Sequence, residues 1–404
     1  MPAEEPLFRG PLLSVDLPRT GPSAVCASSP RPCRQMPYPA MCIDATTVLK
    51  RQAPVRDDVF PRPGVSRRRF GAMLVGGVAA AAVTPAIRPA GAASEDVRIA
   101  DLDWVDAGRD RRVPARLYWP SPGAPAGPVP LIVFSHGLGQ SRTGYSYLGR
   151  HWAANGYASL HVQHVGSDGT VWAGNPFEVL DRVNLAADER EAIARAADMS
   201  FALDRILGRD SAFAAFIDPA RIVAAGHSYG ANTTLIVGGA RVVREGKTID
   251  RRDMRFKAGI VISAPPFYGE RDLHAVLAAV TMPTFHVTAT ADVIALPGRR
   301  SPVQDRLDVY EAVGTSRKAL AVFQGGSHSI FTDRPLTGGV TLNPQVKQAT
   351  AEGALAFLDL TFRGDPSPLA SWSETWRPLL AVAPTAYPVT GSGRHPSRRD
   401  RPRS

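Results

Sequence analysis

The sequence predicts an α/β fold: a mostly parallel, twisted sheet with helices on both faces and no large cap domain. Short apolar runs of strand length alternate with longer segments whose apolar residues recur at helical spacing. Such alternation is typical of parallel strands joined by right-handed helical crossovers. In addition, residues 221–237, RIVAAGHSYGANTTLIV, predict a buried strand, a tight turn and a helix in direct succession.

The positive charge of the chain belongs to its two ends. The formal net charge of the 404-residue chain is +10. Residues 1–93 contain twelve Lys/Arg and six Asp/Glu, and residues 385–404 contain five Arg and one Asp, so the segment between them has no net charge. This distribution argues against a nucleic-acid surface on the folded domain. Hydrophobic residues make up 44% of the chain, which is enough for a sizeable core.

The N-terminal residues predict no folded structure. Residues 1–65 are rich in Pro, Arg and Ser without sustained periodicity, which is typical of a disordered extension. Met36 and Met41 are alternative starts within it. The three cysteines also lie here, so the remaining chain has no thiol for a disulfide or a metal; they are Cys26, Cys33 and Cys42.

Residues 66–92 resemble a twin-arginine export signal. Arg67 and Arg68 precede a short apolar run, and small residues at 90–92 offer a cleavage site. A membrane anchor is the alternative, but the run is mostly Ala and Gly and contains Pro85, whereas a spanning helix needs about 20 strongly apolar residues. We therefore expect export by the twin-arginine machinery to the periplasm or the exterior.

Residues 93–365 predict the catalytic domain, and residues 366–404 a C-terminal extension that is basic and disordered at its end. An antiparallel pair opens the domain, and buried strands and helices then alternate. Strands are predicted at 97–103, 112–119, 131–134, 157–162, 222–225, 258–263, 284–288 and 319–323. Helices are predicted at 145–155, 180–207, 231–237, 271–280, 301–313 and 344–362.

The turn within residues 221–237 has the Gly-x-Ser-x-Gly pattern of a nucleophile elbow, with Ser228 at its centre. Gly226 and Gly230 lack a Cβ, so the helix can pass close to the strand while Ser228 occupies the apex of a strained turn. The N–H of Tyr229, at the start of the helix, would point to the negative charge that develops on an attacked carbonyl.

A serine nucleophile needs a base, usually a histidine oriented by a carboxylate, and in this fold the chain order is serine, acid, histidine. Five of the nine histidines precede Ser228, two precede any acid placed after the strand at 284–288, and His395 lies in the basic tail. His328 remains, immediately after the last apolar strand.

Asp292 is the predicted acid because it follows the strand at 284–288, where catalytic groups of open α/β sheets collect. Glu270, Asp305 and Asp308 are weaker alternatives, since each falls within or beside a predicted helix. The second oxyanion donor is expected from the loop after the strand at 131–134, where Leu138 stands between two glycines.

The sequence indicates no metal or cofactor. His161 and His164 are three residues apart, so on a strand they would point to opposite faces. No phosphate-binding or dinucleotide-binding glycine motif is present.

The substrate cleft is expected to be open. Only about twenty residues separate the strands ending at 263 and beginning at 284, which is too few for a lid over a long acyl chain. Short acyl esters should therefore be preferred. Four aromatic residues in neighbouring loops are candidates to line the cleft: Trp172, Phe177, Phe267 and Tyr268.

Two stretches resemble known families. Residues 131–148, LIVFSHGLGQSRTGYSYL, resemble platelet-activating-factor acetylhydrolases, and GHSYG at residues 226–230 fits the elbow of that family. Residues 292–328, with GGSHS, are more similar to bacterial cutinase-like polyester hydrolases and the dienelactone-hydrolase-like group. The resemblance covers roughly residues 97–363 and implies an α/β-hydrolase fold and ester hydrolysis.

The sequence departs from these families in three ways. The acetylhydrolase pattern places its acid after the strand ending at Ser263, where this chain has no carboxylate, so Asp292 takes the role. Dienelactone hydrolases use a cysteine nucleophile, which Ser228 replaces. Cutinase-type enzymes often carry a late disulfide, which the predicted mature chain, from residue 93 onward, lacks the cysteines to form.

The sequence thus predicts a secreted serine carboxylic-ester hydrolase acting on a small-molecule or polymeric ester. A catalytically silent binding protein with the same fold is the alternative outside the enzymes. Within the enzymes, a phospholipid acetylhydrolase and a polyester hydrolase remain open, and a peptidase is disfavoured because the chain has no room for a gating domain. The natural ester and the oligomeric state stay open.

Overall fold

A computed structural model describes residues 97–120, 127–296, 299–334 and 340–388. The predicted extension at 1–65, the export segment at 66–92 and the basic end of the C-terminal extension lie outside the described residues. The described strands are β1 (Arg98–Asp106), β2 (Arg111–Trp119), β3 (Val129–Ser135), β4 (Ala158–Val162), β5 (Ile217–His227), β6 (Arg241–Arg244), β7 (Lys247–Asp250), β8 (Phe256–Ile262), β9 (Thr284–Ala291), β10 (Ile294–Leu296), β11 (Arg299–Ser301), β12 (Lys318–Ser327) and β13 (Leu380–Val382). The described α-helices are α1 (Ser146–Ala154), α2 (Pro176–Ala186), α3 (Glu189–Leu207), α4 (Tyr229–Gly238), α5 (Leu273–Leu277), α6 (Gln304–Ala312), α7 (Leu342–Arg363) and α8 (Ser367–Trp376).

Nine of these strands form one sheet in the order β1-β2-β4-β3-β5-β8-β9-β12-β13. The strands from β4 to β12 in this order are parallel to one another. β1, β2 and β13 add to the two edges in antiparallel orientation. The prediction of a mostly parallel sheet with an antiparallel opening pair is therefore confirmed.

Helices cover both faces of the sheet, and the pleat of β3 shows why. Leu131 and Val133 enter a core cluster with residues of α3 and α4. Ile132 and Phe134 point the other way, into a second cluster with residues of α1 and α7. Because successive residues alternate between the faces, a strand buried on both sides is apolar throughout.

The helix predicted at 180–207 is two helices, α2 and α3. Asp188 stands between them, and its carboxylate accepts a 2.7 Å hydrogen bond from the Glu191 N–H, which caps the start of α3. α2 begins earlier than predicted because Asn175 caps it and Pro176 occupies its first position. Phe177 consequently lies on a helix and not in a loop.

Two hairpins were not predicted. β6 pairs with β7 and β10 pairs with β11. The first turns at Glu245 and Gly246, whose φ angles of 51° and 73° are those of a tight hairpin turn. Arg, Glu, Lys and Asp dominate this segment, so it has no apolar run that predicts a strand.

The first part of the C-terminal extension packs against the domain. Trp372 of α8 donates a 2.8 Å hydrogen bond from its indole N–H to the Ala349 carbonyl of α7. β13 then pairs with β12 and completes that edge of the sheet. Within the described part of the chain, no helix has both the length and the apolar character that crossing a membrane requires.

Candidate active site

Ser228 lies in a strained turn between β5 and α4, with φ 56° and ψ −122°. A Cβ on Gly226 would stand 2.2 Å from the Gly230 carbonyl oxygen, and a Cβ on Gly230 would stand 1.9 Å from the Ser135 carbonyl oxygen. Both positions therefore require glycine. The Ser228 N–H donates to the Ile262 carbonyl at 2.9 Å, which ties the turn to the end of β8.

Three predicted residues meet at the carboxyl ends of β5, β9 and β12. Ser228 Oγ lies 2.8 Å from His328 Nε2, and His328 Nδ1 lies 2.8 Å from Asp292 Oδ1. A carboxylate can only accept, so Nδ1 carries the proton and Nε2 can accept the proton of the serine hydroxyl. This arrangement can activate Ser228 for attack on a carbonyl carbon.

Asp292 is fully buried and well supplied with donors. Its Oδ2 accepts hydrogen bonds from Ser263 Oγ at 2.5 Å and from Thr288 Oγ1 at 2.7 Å. Arg306 Nε lies 3.6 Å from Oδ1. Burial alone would raise the pKa of Asp292, but the hydrogen bonds from His328 and Ser263 and the charge of Arg306 outweigh it and lower that pKa. The group is a carboxylate at neutral pH.

The loop after β3 brings Leu138 to the same place. Hydrogen bonds fix the loop on both sides of Leu138: the Gly137 N–H donates to Tyr145 Oη at 3.2 Å and the Gly139 N–H donates to the Ser167 carbonyl at 2.9 Å. Leu138, Ser228 and Tyr229 line one cavity. Leu138 and Tyr229, the two predicted oxyanion donors, thus both border the cavity at Ser228.

Tyr145 and His227 link this loop to His328, and the sequence did not single them out. His227 Nε2 lies 3.1 Å from the His328 carbonyl, which can only accept, so Nε2 donates. Nδ1 then accepts from Tyr145 Oη at 2.9 Å. Burial lowers the pKa of His227 well below its ordinary value, which keeps the ring neutral. A signal was present, since His227 stands inside the elbow motif.

Two cavities meet at Ser228. The first, of about 190 Å³, extends along α4 to the β6–β7 hairpin, and Phe267 and Tyr268 line it. The second, of about 380 Å³, contains Trp172 and His328 in its wall. Ser228 and Leu138 line both.

Phe177 is apart from the other three predicted aromatic residues. It is 83% exposed on α2 and lines neither cavity. The hairpin wall of the first cavity was not predicted, because its polar sequence gave no strand signal.

The two histidines weighed as metal ligands have separate partners. His161 lies against the Gly144 carbonyl and Ser159, whereas His164 contacts Ser135 and Asp198. Over the described ranges, no three His, Cys, Asp or Glu side chains are grouped as a metal site.

Sequence comparisons find that part of the domain is similar to one family. Residues 110–173 match the family described as platelet-activating factor acetylhydrolase, isoform II. Platelet-activating factor acetylhydrolase of Cavia porcellus is 24% identical in an alignment 213 residues long, which covers 44% of this chain and 43% of that protein. The chain thus aligns with less than half of the length of this curated relative.

Solved structures of esterases are also similar. A ferulic acid esterase from Streptomyces cinnamoneus is 23% identical, with a TM-score of 0.48 over 70% of this chain and 94% of that one. A cold-adapted esterase from an Arctic intertidal metagenomic library is 18% identical, with a TM-score of 0.42 over 63% and 95%. Neither TM-score reaches 0.5.

The sheet order, the helices on both faces and the elbow after β5 are those of an α/β-hydrolase. The resemblance drawn from residues 131–148 is confirmed by the family match that contains them. The chain therefore has the α/β-hydrolase fold and, over residues 110–173, is similar in sequence to the platelet-activating factor acetylhydrolases.

Proposed function

We propose that this chain is a serine carboxylic-ester hydrolase that works through an acyl-enzyme on Ser228. The observation that carries the proposal is the hydrogen-bonded series Ser228–His328–Asp292, with both distances at 2.8 Å. The similarity of residues 110–173 to an acetylhydrolase family adds support for ester chemistry.

The proposed reaction has two halves. Ser228 Oγ attacks the ester carbonyl carbon and gives its proton to His328 Nε2, while the N–H groups of Leu138 and Tyr229 stabilise the oxyanion. The tetrahedral intermediate collapses, and the leaving alcohol oxygen takes the proton from His328. Water then attacks the acyl-enzyme with His328 again as the base, which releases the acid and restores Ser228. Asp292 orients His328 and stabilises its imidazolium form.

The two cavities have different roles in this proposal. His328 must protonate the leaving oxygen, so the alcohol part occupies the cavity that His328 and Trp172 line. The acyl part then occupies the cavity of about 190 Å³ beside Tyr229 and Phe267. A cavity of this size suits a short acyl group, whereas the alcohol side can be bulky or polymeric.

A phospholipid acetylhydrolase is a second candidate, favoured by the match of residues 110–173 to that family. Short acyl esters of a large alcohol fit both candidates. The position of the acid after β9, and not after β8, separates this chain from the acetylhydrolase pattern. Release of acetate from a 2-acetyl phospholipid, compared with release from p-nitrophenyl acetate, distinguishes the two candidates.

We also propose export through the twin-arginine pathway, supported by the motif at residues 66–70 and the apolar run that follows. Changing Arg67 and Arg68 to Lys should leave the precursor in the cytoplasm. An exported double variant would remove this proposal.

Hydrolysis of p-nitrophenyl esters by purified wild-type, S228A and H328A protein tests the proposed reaction. We expect each variant to lose activity by several orders of magnitude while unfolding at the wild-type temperature. A surface variant, S141A, is the matched control. If S228A keeps wild-type turnover, the proposed function is wrong, and if folded wild-type protein is inactive on all esters, a binding protein is the better description.

A further inference from the structure

Arg195 of α3 is completely buried beside the candidate oxyanion hole. Its guanidinium donates to four groups, and no carboxylate is among them: Thr233 Oγ1 at 3.1 Å, Ser167 Oγ at 2.8 Å, Ser135 Oγ at 3.1 Å and the His136 carbonyl. Burial lowers the pKa of Arg195 to about 10, so the group is still a cation at neutral pH.

One side of Arg195 fixes Tyr229. The guanidinium carbon lies 4.4 Å from the centre of the Tyr229 ring, in a cation–π contact. Arg195 Nε also donates to Thr233 Oγ1, whose own hydroxyl donates to the Tyr229 carbonyl at 3.1 Å. The residue that supplies one oxyanion donor is therefore held through both its ring and its backbone.

The other side of Arg195 fixes the loop that carries Leu138. Nη2 donates to the carbonyl of His136, two residues before Leu138. Nη1 donates to Ser167 Oγ, and the carbonyl of Ser167 accepts the Gly139 N–H at 2.9 Å. Arg195 thus contacts the chain directly before Leu138 and, through Ser167, the chain directly after it.

A buried set of hydrogen bonds fixes the orientation of the guanidinium. His164 Nδ1 lies 3.0 Å from Asp198 Oδ2, which can only accept, so Nε2 accepts the hydroxyl proton of Ser135 at 2.9 Å. Ser135 Oγ is then left to accept from Arg195. Burial lowers the pKa of His164 well below its ordinary value, so this polarity does not reverse at neutral pH.

We infer that Arg195 is a positioning residue for the oxyanion hole: one buried guanidinium sets the Leu138 and Tyr229 N–H groups at the separation that the tetrahedral intermediate requires. The inference rests on the proposed function. The two donors lie on segments distant in sequence, so a contact between these segments is needed to fix their separation. A misplacement of either N–H group by about 1 Å can cost on the order of 10²-fold in rate. The cation also adds a positive potential next to the developing oxyanion.

Two substitutions at Arg195 and one at its partner test the inference. We expect R195M to lower kcat by about 10²-fold with KM within threefold of wild type, because the donors act on the intermediate more than on the substrate. R195K keeps the positive charge but lacks the planar guanidinium with its several donors, so its kcat should lie between those of R195M and wild type. T233V removes the hydroxyl that links Arg195 to the Tyr229 carbonyl, and it should lower kcat by about tenfold. This variant tests the inference even if R195M does not fold. R255M, at a partly exposed arginine paired with Asp204 and Asp253, is the matched control.

A second readout separates positioning from general loss of structure. Affinity for a trifluoromethyl ketone, whose adduct with Ser228 resembles the oxyanion, should fall in parallel with kcat/KM across R195M, R195K and T233V. Equal kcat and ketone affinity in wild type, R195K and T233V would overturn the inference. Failure of the proposed function would appear differently, as inactive wild type or active S228A.

Discussion

Ser263 Oγ donates a 2.5 Å hydrogen bond to Asp292 Oδ2. Ser263 directly follows β8, has a φ of 53° and stands where the acetylhydrolase-like pattern would place the acid. β8 and β9 are parallel neighbours, so their ends lie side by side. In this chain Asp292 directly follows β9, and Ser263, directly after β8, supports its carboxylate.

Replacing Asp292 should lower kcat far more than replacing Ser263, which donates a hydrogen bond to its carboxylate. D292N leaves the imidazole in the wrong tautomer, so we expect kcat to fall by about 10⁴-fold. S263A leaves the carboxylate in place with Thr288 and His328 still bonded, so a fall of about tenfold is expected. Steady-state kinetics on p-nitrophenyl acetate measure both. If D292N turns over like wild type, another carboxylate orients His328.

Low pH should destabilise the fold because several of its histidines are buried. Burial lowers the pKa of His161 and His286 to about 3, from an ordinary value of 6.5, and lowers those of His136, His164 and His227 as well. Between pH 6.5 and 3 the unfolded chain binds protons at His161 and His286 and the folded chain does not, so stability falls as the pH falls. Each site contributes up to about 1.4 kcal/mol per pH unit in that window.

Urea unfolding from pH 7 to pH 4.5 measures this dependence. H286N should reduce the slope of unfolding free energy against pH by the contribution of nearly one proton, about 1.4 kcal/mol per pH unit. This reduction is expected whatever the substitution does to stability at pH 7. H274N, at an exposed position of α5, is the control. An H286N slope equal to that of wild type would show that His286 takes up its proton in the folded state.

The elbow glycines should tolerate no Cβ. The Ser135 carbonyl oxygen that a Gly230 Cβ would meet at 1.9 Å belongs to the central strand β3 and cannot move without disturbing the sheet. We expect G230A to lose soluble yield, or to unfold at a much lower temperature. G169A adds a Cβ with no atom within 4 Å and should leave the melting temperature nearly unchanged. A fully stable G230A would contradict the described turn.

The β6–β7 hairpin should limit the acyl length. Val242 lines the cavity assigned to the acyl group, while its neighbour Val243 is 61% exposed and does not. V242W should lower kcat/KM for p-nitrophenyl butyrate about tenfold relative to the acetate, and V243W should not. In the wild type we expect acetate and butyrate to exceed palmitate, without a rate increase above the micellar concentration. A preference for palmitate would indicate an acyl site elsewhere.

The sequence predicts those parts of the site that are marked by a short motif or by a regular spacing of apolar residues. The buried strands at 131–134 and 222–225 and the elbow follow from apolar runs and two glycines, and chain order alone leads to His328. Long-range contacts have no such signal. Arg195 and Ser263 become part of the site only because α3 packs under the β3 loop and β8 lies beside β9. The hairpin at 241–250 was missed because its sequence is polar and contains no apolar run that predicts a strand.

Covalent labelling measures the central claim most directly. Wild-type protein treated with a fluorophosphonate should gain the mass of one phosphonyl group, and peptide mapping should place it on Ser228. Labelling should be lost in S228A and slowed in H328A, with S141A labelled like wild type. A folded wild-type protein that gains no mass, or gains it at a residue other than Ser228, would contradict the account.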